Sequence, residues 1–556
     1  MRTNSRFRLL AAFGGTVAAA ATMTMLASAA TPKFYADDPI VVERDSADAS
    51  SMQRYEPDLL ADFVVDVFTR PGDPNTVRAM NVNSVDEVPD SSWFTNRVGG
   101  KSITPEQMAV GPDTTDGPEA GAWRVSSSKS DGVTPGLTIK DAKAQTWFIK
   151  FDPRGYRGMA TGTEVAVTKL MWALGYNVPE NHVAYLRREQ LVVGSGATYT
   201  GLGGKRRPMK GADIDALLAR ADRQGDGSYR VVASKALPGT PVGRIRFYNT
   251  RPDDPNDLVS HEHRRELRGY GTFAAWLNHV DAKSINSLDM LVKENGKSVV
   301  RHHLIDFGSA LGSGALQPAE PWAGREYAIQ GKQTLLQMAA FGFYMPKWHT
   351  AKFYESRSIG RLPVNNGNFE PDAWKPTVPN QAFLRAQADD KFWAAQKLVA
   401  LTDPLIRAAV RTGDFQDPAS EEFLVKALEQ RRDAIGRTYL NAINPIADPA
   451  LDAAGMLTFR NAAVDADFAK APQGYRAVWS RFDNATNTAV RIAETSGRTT
   501  ALQAPEELLR QQPSFVKVEI SSIGAAIASW EKPVHAYFRA HNGVWQLVGF
   551  ERVPRL

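Results

Sequence analysis

The period of the apolar pattern changes twice along this chain, and nothing else in the sequence constrains its fold as tightly. Between residues 123 and 255, short apolar runs alternate and are broken by turn residues. "GLTIKD" (136–141) and "TWFIKFDP" (146–153) predict a β-hairpin, and "NHVAYLRREQLVV", "YRVVASKAL" and "GRIRFYN" predict further strands. One segment departs from this rhythm. "GTEVAVTKLMWALGY" (162–176) places Val165, Val167, Leu170, Met171 and Leu174 at helical spacing, with Gly175 and Pro179 as its stop. From 256 to 445 the pattern becomes helical, over 261–280, 380–400, 403–411 and 418–440. "INPIADPALDAAG" (443–455) reads as a Pro/Ala/Gly linker, and the strand-like runs after it predict a small β-sandwich of about 100 residues.

At 556 residues the chain exceeds one core and predicts several domains. Its first 29 residues read as a secretory signal peptide. Three arginines precede an apolar run, and Ala27 and Ala29 supply the small residues before a cut after Ala29. The alternative is an uncleaved anchor, for which the Ala- and Thr-rich run is barely long enough. The mature chain, with no later run of about 18 apolar residues, is expected to have no transmembrane span. The reading is therefore a secreted, periplasmic or cell-envelope protein. Cysteine is absent, which excludes disulfides and thiolate chemistry. A net charge of +5 over this length, with no basic block, is not a nucleic-acid footprint.

Two polar stretches interrupt the apolar frame of 256–445. "NHVDAKSIN" (278–286) ends the helical pattern of 261–280, and "HHLIDFGSALGSG" (302–314) follows a strand-like run. Between them "LDMLV" (288–292) reads as a strand that pairs with the one ending at Leu304 and Ile305. Asp281 precedes Lys283 by two residues and Asn286 by five, and Asp306-Phe307-Gly308 follows. Upstream, Phe148-Ile149-Lys150 closes a strand, and Glu164 lies near the start of the next helix. Phosphoryl transfer needs this set: a carboxylate to orient the acceptor, Asn and Asp oxygens for metal, and a Lys held by a Glu for the phosphates.

In this order the residues resemble the protein-kinase-like fold in its broad sense, which includes the HipA-like, CotH-like and lipid-kinase branches. The resemblance covers about 123–440. It implies an α+β protein with a two-lobed protein-kinase-like core, an irregular N-terminal segment and a small C-terminal β-sandwich domain. The boundaries are 1–29 signal peptide, 30–122 irregular segment, 123–255 β-rich N-lobe, 256–445 helical C-lobe and 446–556 β-rich domain. It further implies ATP with Mg or Mn as cofactors, Lys150 and Glu164 at the nucleotide, Asn286 and Asp306 at the metal, and Asp281 and Lys283 as catalytic residues. The acceptor (protein, glycan or small molecule) is unspecified, and nucleotidyl transfer remains open beside phosphoryl transfer. Three departures mark the branch as atypical. Val280 stands where kinases controlled by activation-loop phosphorylation carry Arg, no G-x-G-x-x-G loop precedes Lys150, and no Ala-Pro-Glu follows Asp306. "SSSKSDGVTPG" (126–136) is the one candidate for a phosphate-covering turn.

Other readings compete for the same residues. Asp281 and Asn286 suit a turn, Asp306 a helix cap, and Glu164 a helix N-terminus. Lys150 and Lys283 would serve as solvated charges, and His279 as a backbone anchor. His261, His263, His279, His302 and His303 with the nearby acids suggest a secreted metallohydrolase. A non-catalytic envelope protein on a degenerate kinase fold is the third reading.

Overall fold

The computed structural model describes residues 31–55, 58–129, 134–201, 204–329 and 347–553, so the expected signal peptide lies outside the described residues. Residues 31–122 are mostly irregular, with helices α1 (Leu59–Phe68) and α2 (Pro105–Val110). This segment is held by buried side chains along its length. Phe34 packs on Phe482 and Tyr537, Trp93 stacks on His302 at 3.5 Å, and Phe94 meets Tyr176 edge-on. Backbone bonds such as Ala49 N–H to the Ser298 carbonyl at 2.8 Å fasten its first part to the strand Lys297–Leu304.

The alternating runs form one seven-stranded sheet: β1 (Trp123–Ser128), β2 (Gly136–Lys140), β3 (Thr146–Phe151), β4 (Asn181–Leu186), β5 (Leu191–Thr200), β6 (Arg206–Pro208) and β7 (Tyr229–Lys235). Their spatial order is β4-β7-β3-β2-β1-β5-β6. Strand alternation sorts β3 by face. Trp147, Ile149 and Phe151 are buried with Ile214 and Leu218 of α4 (Gly211–Leu218), while Thr146, Phe148 and Lys150 point the other way. The predicted helix after β3 is α3 (Met159–Ala173), and it contributes Val167, Leu170 and Met171 to the largest core.

That core is built on α5 (Arg265–Leu277), with helices Ala388–Val399, Asp403–Arg411 and Pro418–Tyr439 around it. The helix expected over 261–280 is shorter than its pattern. Residues 261–263 form a separate turn, Arg264 is extended, and Asn278 ends α5 in the left-handed conformation. A second sheet pairs β8 (Thr240–Gly243), β9 (Ser287–Glu294) and β10 (Lys297–Leu304) in the order β10-β9-β8. β9 and β10 form a hairpin closed by Asn295 and Gly296, both at positive φ as a two-residue turn requires. "GRIRFYN" was expected as a strand, but only Gly243 of it lies in β8.

The stretch 443–455 is not a linker. Ile446–Leu451 forms β11, paired with β12 (Met456–Asn461), and Ile446 and Leu451 are buried. Pro449 is tolerated because β11 is an edge strand whose register shifts between Ala447 and Ala450, with Asp448 at positive φ. β11 and β12 join β15 (Ala501–Gln503) in a three-stranded sheet. Its apolar side shares a core with a five-stranded sheet of β13 (Gly474–Asp483), β14 (Thr488–Gly497), β16 (Phe515–Ile523), β17 (Val534–His541) and β18 (Val544–Glu551).

A buried ionic knot joins the parts. Arg265 contacts Asp86 at 2.7 Å, Asp389 at 2.8 Å and Asp390 at 3.1 Å, and Arg552 reaches Asp86 at 3.4 Å. Such charges are tolerated in the interior only when paired. Among the described residues, no helix is long and apolar enough to cross a membrane.

Candidate functional site

The β9–β10 hairpin brings the two polar stretches together. Its last pair is Leu304 opposite Ser287, and the ladder runs one step further, from Ile305 N–H to the Asn286 carbonyl at 3.0 Å. Asn286 and Asp306 therefore leave the same open end of one hairpin. The 278–286 turn and the Asp306-Phe307-Gly308 turn are two parts of one place.

Lys150 and Glu164 arrive from the first sheet. Asp152, two residues beyond Lys150, accepts from the N–H groups of Gly158, Ala160 and Thr161, which ties the start of α3 to the end of β3. Glu164, on the second turn of α3, is 2% exposed and meets Lys150 Nζ at 3.1 Å. Lys150 Nζ also meets Asp306 Oδ1 at 2.8 Å. Glu164 has two further tasks: Oε1 accepts from Phe307 N–H at 3.0 Å and Oε2 from Gly308 N–H at 3.1 Å. A Cβ at position 308 would stand 3.0 Å from Glu164 Oε2, so glycine lets the turn approach this carboxylate. Asp306 itself has a φ of 59°, in the left-handed region that Asp enters more readily than most residues. Buried Phe307 and the two bonds to Glu164 anchor the turn in that conformation.

Charge settles the protonation states. Burial would push the Asp306 carboxyl up, but Lys150 and Lys129 outweigh it and hold it well below the usual carboxylate range. Burial would push Lys150 down, but Asp306 and Glu164 hold its ammonium above the usual lysine range. The pair is ionised at neutral pH.

Asp281 lies in the turn after α5. Its Oδ1 meets Lys283 Nζ at 2.7 Å, and its Oδ2 accepts from Asn286 Nδ2 at 2.9 Å. Asn286 Nδ2 also donates to the Asp281 carbonyl at 2.8 Å. This turns the amide oxygen away from the turn, and among the described residues it accepts no hydrogen bond. His279 is buried between Tyr270 and Phe307, with neither ring nitrogen partnered among the described residues. Burial pushes its pKa down, against the pull of Asp281 and Asp306, so the imidazole is neutral. Both carboxylates thus act on one ring.

An oxygen donor pair of one carboxylate and one amide fits a small hard cation. Mg²⁺ is commonly held by one or two carboxylates and completed by substrate phosphates and water. Asp306 and the Asn286 amide oxygen are that kind of set. The histidines are not. His261 is engaged by the Arg246 carbonyl and by Asp257 at 2.7 Å, and His263 by Asp73 at 3.1 Å and Arg268 at 2.7 Å. His302 bonds Asp289 at 2.8 Å, and His303 bonds the Arg301 carbonyl at 3.0 Å. No group of three or more His, Cys, Asp or Glu able to hold a metal occurs among the described residues. Four of the five imidazoles expected in a metallohydrolase are thus engaged with backbone or ion-pair partners, and the fifth, His279, holds no backbone group as expected but is buried between Tyr270 and Phe307.

Sequence reasoning passed over Lys129. It lies at the end of β1, inside the candidate covering turn, of which residues 130–133 fall outside the described residues.

Scanned against models of known protein families the chain matches none, and no curated protein matches it. Among solved structures it shows likeness to a Helicobacter pylori proinflammatory kinase, CtkA, at 11% identity and a TM-score of 0.27, over 56% of this chain and 95% of that one. The Golgi casein kinase gives 11% identity and 0.29 over 71% and 95%. Its Mn/ADP-bound structure gives 10% and 0.26 over 72% and 95%. Overlaps this weak carry no argument; the functional reading rests on the site.

Proposed function

We propose that this protein is a secreted, kinase-like phosphotransferase that uses ATP and Mg or Mn, its acceptor being a protein, glycan or small molecule. In this reading residues 123–445 are a two-lobed core and residues 446–556 an appended β-sandwich. The observation that carries the proposal is the contact of Lys150 with both Glu164 and Asp306, 3.1 and 2.8 Å away. Phosphoryl transfer is mostly positioning and charge stabilisation, and protein kinases achieve it with a Lys held by a helix Glu beside a metal-binding Asp.

Each residue then has a role. Lys150 grips phosphate oxygens, and Glu164 holds Lys150 and the Asp306 turn in place. Asp306 and Asn286 would hold the divalent ion, which when bound offsets phosphate charge. Asp281 orients the acceptor hydroxyl and takes up its proton, its own carboxylate being fixed by Lys283 and Asn286. Neutral His279 supports both turns from beneath without adding a competing cation.

The test is product analysis on the mature chain with ATP, Mn²⁺ and envelope fractions as acceptor source. The proposal expects γ-label transfer with ADP release. Pyrophosphate release with α-label transfer would indicate nucleotidyl transfer instead. ATP binding with no product of either kind would favour a non-catalytic protein. Export is tested by expression with the native leader, which should yield a chain beginning near Ala30 outside the cytoplasm.

A further inference from the structure

The outer edge of the first sheet carries a cavity that the nucleotide reading does not use. It has a volume of about 330 Å³ and lies between β4, the turn that leads into β7, and the loop that precedes the helix Pro418–Tyr439. Ligand pockets are usually lined chiefly by apolar side chains. This one is lined by polar groups. Gln190, Gln224 and Gln416 bring three amides, Arg187 and Asp226 a pair of opposite charges, and Tyr185 an aromatic ring. The aliphatic residue of the lining, Leu186, is buried and already belongs to the core of the sheet.

These groups are held in place by one another. The Tyr185 hydroxyl donates to Asp414 Oδ2 at 2.7 Å, and it accepts from Gln416 Nε2 at 2.9 Å and from buried Arg230 at 3.2 Å. The ring is thereby fixed at its tip while 43% of the residue stays exposed. Arg187 meets Asp226 Oδ2 at 3.1 Å, and Asp226 Oδ1 accepts from Ser228 N–H at 2.9 Å and from its Oγ at 2.6 Å. Gln190 Oε1 accepts from Arg187 N–H at 2.7 Å. Two groups keep their capacity for a ligand. The side-chain amide of Gln224 and the Oε1 of Gln416 make no hydrogen bond among the described residues. Arg187 and Asp226 cancel in charge, so the lining has no net charge of its own.

We propose that this cavity is a carbohydrate-binding subsite for a neutral hexose chain, with the Tyr185 ring against the C–H face of one sugar and the Gln224 and Gln416 amides on its hydroxyls. Sugar hydroxyls need donors and acceptors side by side, which amides supply and a patch of one charge does not. A sugar ring has one apolar face, which asks for an aromatic surface and little else. An apolar peptide side chain would find no aliphatic wall to bury against, and an anion would meet Asp226 beside Arg187. Tyr185 is two strands away from Lys150 in the order β4-β7-β3, and the subsite neither uses nor needs the nucleotide reading.

The test is saturation-transfer NMR with calorimetric titration of the full mature chain against maltotriose, cellotriose and triacetylchitotriose. The proposal expects at least one of these to bind with millimolar or tighter affinity, with the strongest transfer on ring C–H protons and little change on adding salt. Tyr185→Ala removes the stacking surface and should weaken binding roughly tenfold or more. Gln224→Ala removes one hydrogen-bonding amide and should weaken it roughly two- to tenfold. Tyr185→Phe keeps the ring and loses its fixing bonds, and should fall between the wild type and Tyr185→Ala. Gln224 makes no side-chain bond within the described fold, so its variant decides the matter should Tyr185→Ala fold poorly. Absence of binding by all three saccharides, or wild-type affinity in Gln224→Ala and Tyr185→Ala alike, overturns the assignment. Binding that collapses with salt, or preference for glucuronate over glucose, would mark an anion site at Arg187 and overturn the neutral class.

Discussion

Glu164→Gln is the perturbation that most sharply tests how the site is held. The wild-type carboxylate accepts three bonds, from Lys150 Nζ and from the N–H groups of Phe307 and Gly308, while 2% exposed. Glutamine keeps the shape but has one acceptor oxygen. If that oxygen stays with Lys150 and Gly308, the amide NH₂ faces Phe307 N–H, donor against donor. A buried polar group left without a partner costs about 1–3 kcal/mol, and the charge assistance of the other bonds is lost as well. A local destabilisation of about 2–3 kcal/mol follows, or roughly 30- to 150-fold in an opening equilibrium at about 1.4 kcal/mol per tenfold. Hydrogen exchange of a peptide covering 304–311, followed by mass spectrometry without nucleotide, reads this directly. The amides of Phe307 and Gly308 should exchange faster by that factor, while amides in β17 keep their wild-type rates. Unchanged protection at 307 and 308 would refute the claim that Glu164 holds the Asp306 turn.

Further outcomes are expected elsewhere. Asp281→Asn should leave ATP affinity near the wild-type value and lower turnover by roughly 10²- to 10⁴-fold, read by paired calorimetry and product assays. Arg552→Met removes a buried cation that contacts Asp86 at 3.4 Å and the Ile446 carbonyl at 2.8 Å; because Asp86 keeps Arg265, the cost should be that of the orphaned carbonyl, about 1–3 kcal/mol, and limited proteolysis within 443–455 should be faster than in the wild type. Burial pushes His303 down to about 4. Its neutral form belongs to the fold, whereas the unfolded chain takes up a proton near pH ~6.5. This contribution is full above about pH 6.5 and drains as pH falls toward 4, by up to about 3 kcal/mol. The urea midpoint of the wild type should therefore drop between pH 7 and pH 5 by more than that of His303→Asn.

The residues of the site were legible because their chemistry fixes their spacing. Lys150 at a strand end, Glu164 one helix later and the two turns flanking a hairpin could be read from alternation and motif order. The bonds from Phe307 and Gly308 to Glu164 could not, since backbone donors leave no trace in side-chain identity. β11 was misread because Pro449 and Ala-rich composition signal a linker, while its edge position and bulge are decided by the sheet it joins. β14 was missed because it is exposed along most of its length and shows no alternation. The anchoring of residues 31–113 was illegible for want of any period. Its single aromatic residues, Phe34, Trp93 and Phe94, find partners hundreds of residues away or on other elements.

The central claim is that Lys150, Glu164, Asn286 and Asp306 form a metal-dependent nucleotide site. Calorimetric titration of ATP into the mature chain, with and without Mn²⁺, and into Asp306→Asn under the same conditions, tests it most directly. The account predicts binding by the wild type that strengthens with Mn²⁺, and loss of that metal-dependent increment in Asp306→Asn while the variant keeps its fold by circular dichroism. Absence of wild-type binding at millimolar ATP with Mn²⁺, or an undiminished metal-dependent affinity in Asp306→Asn, would contradict it.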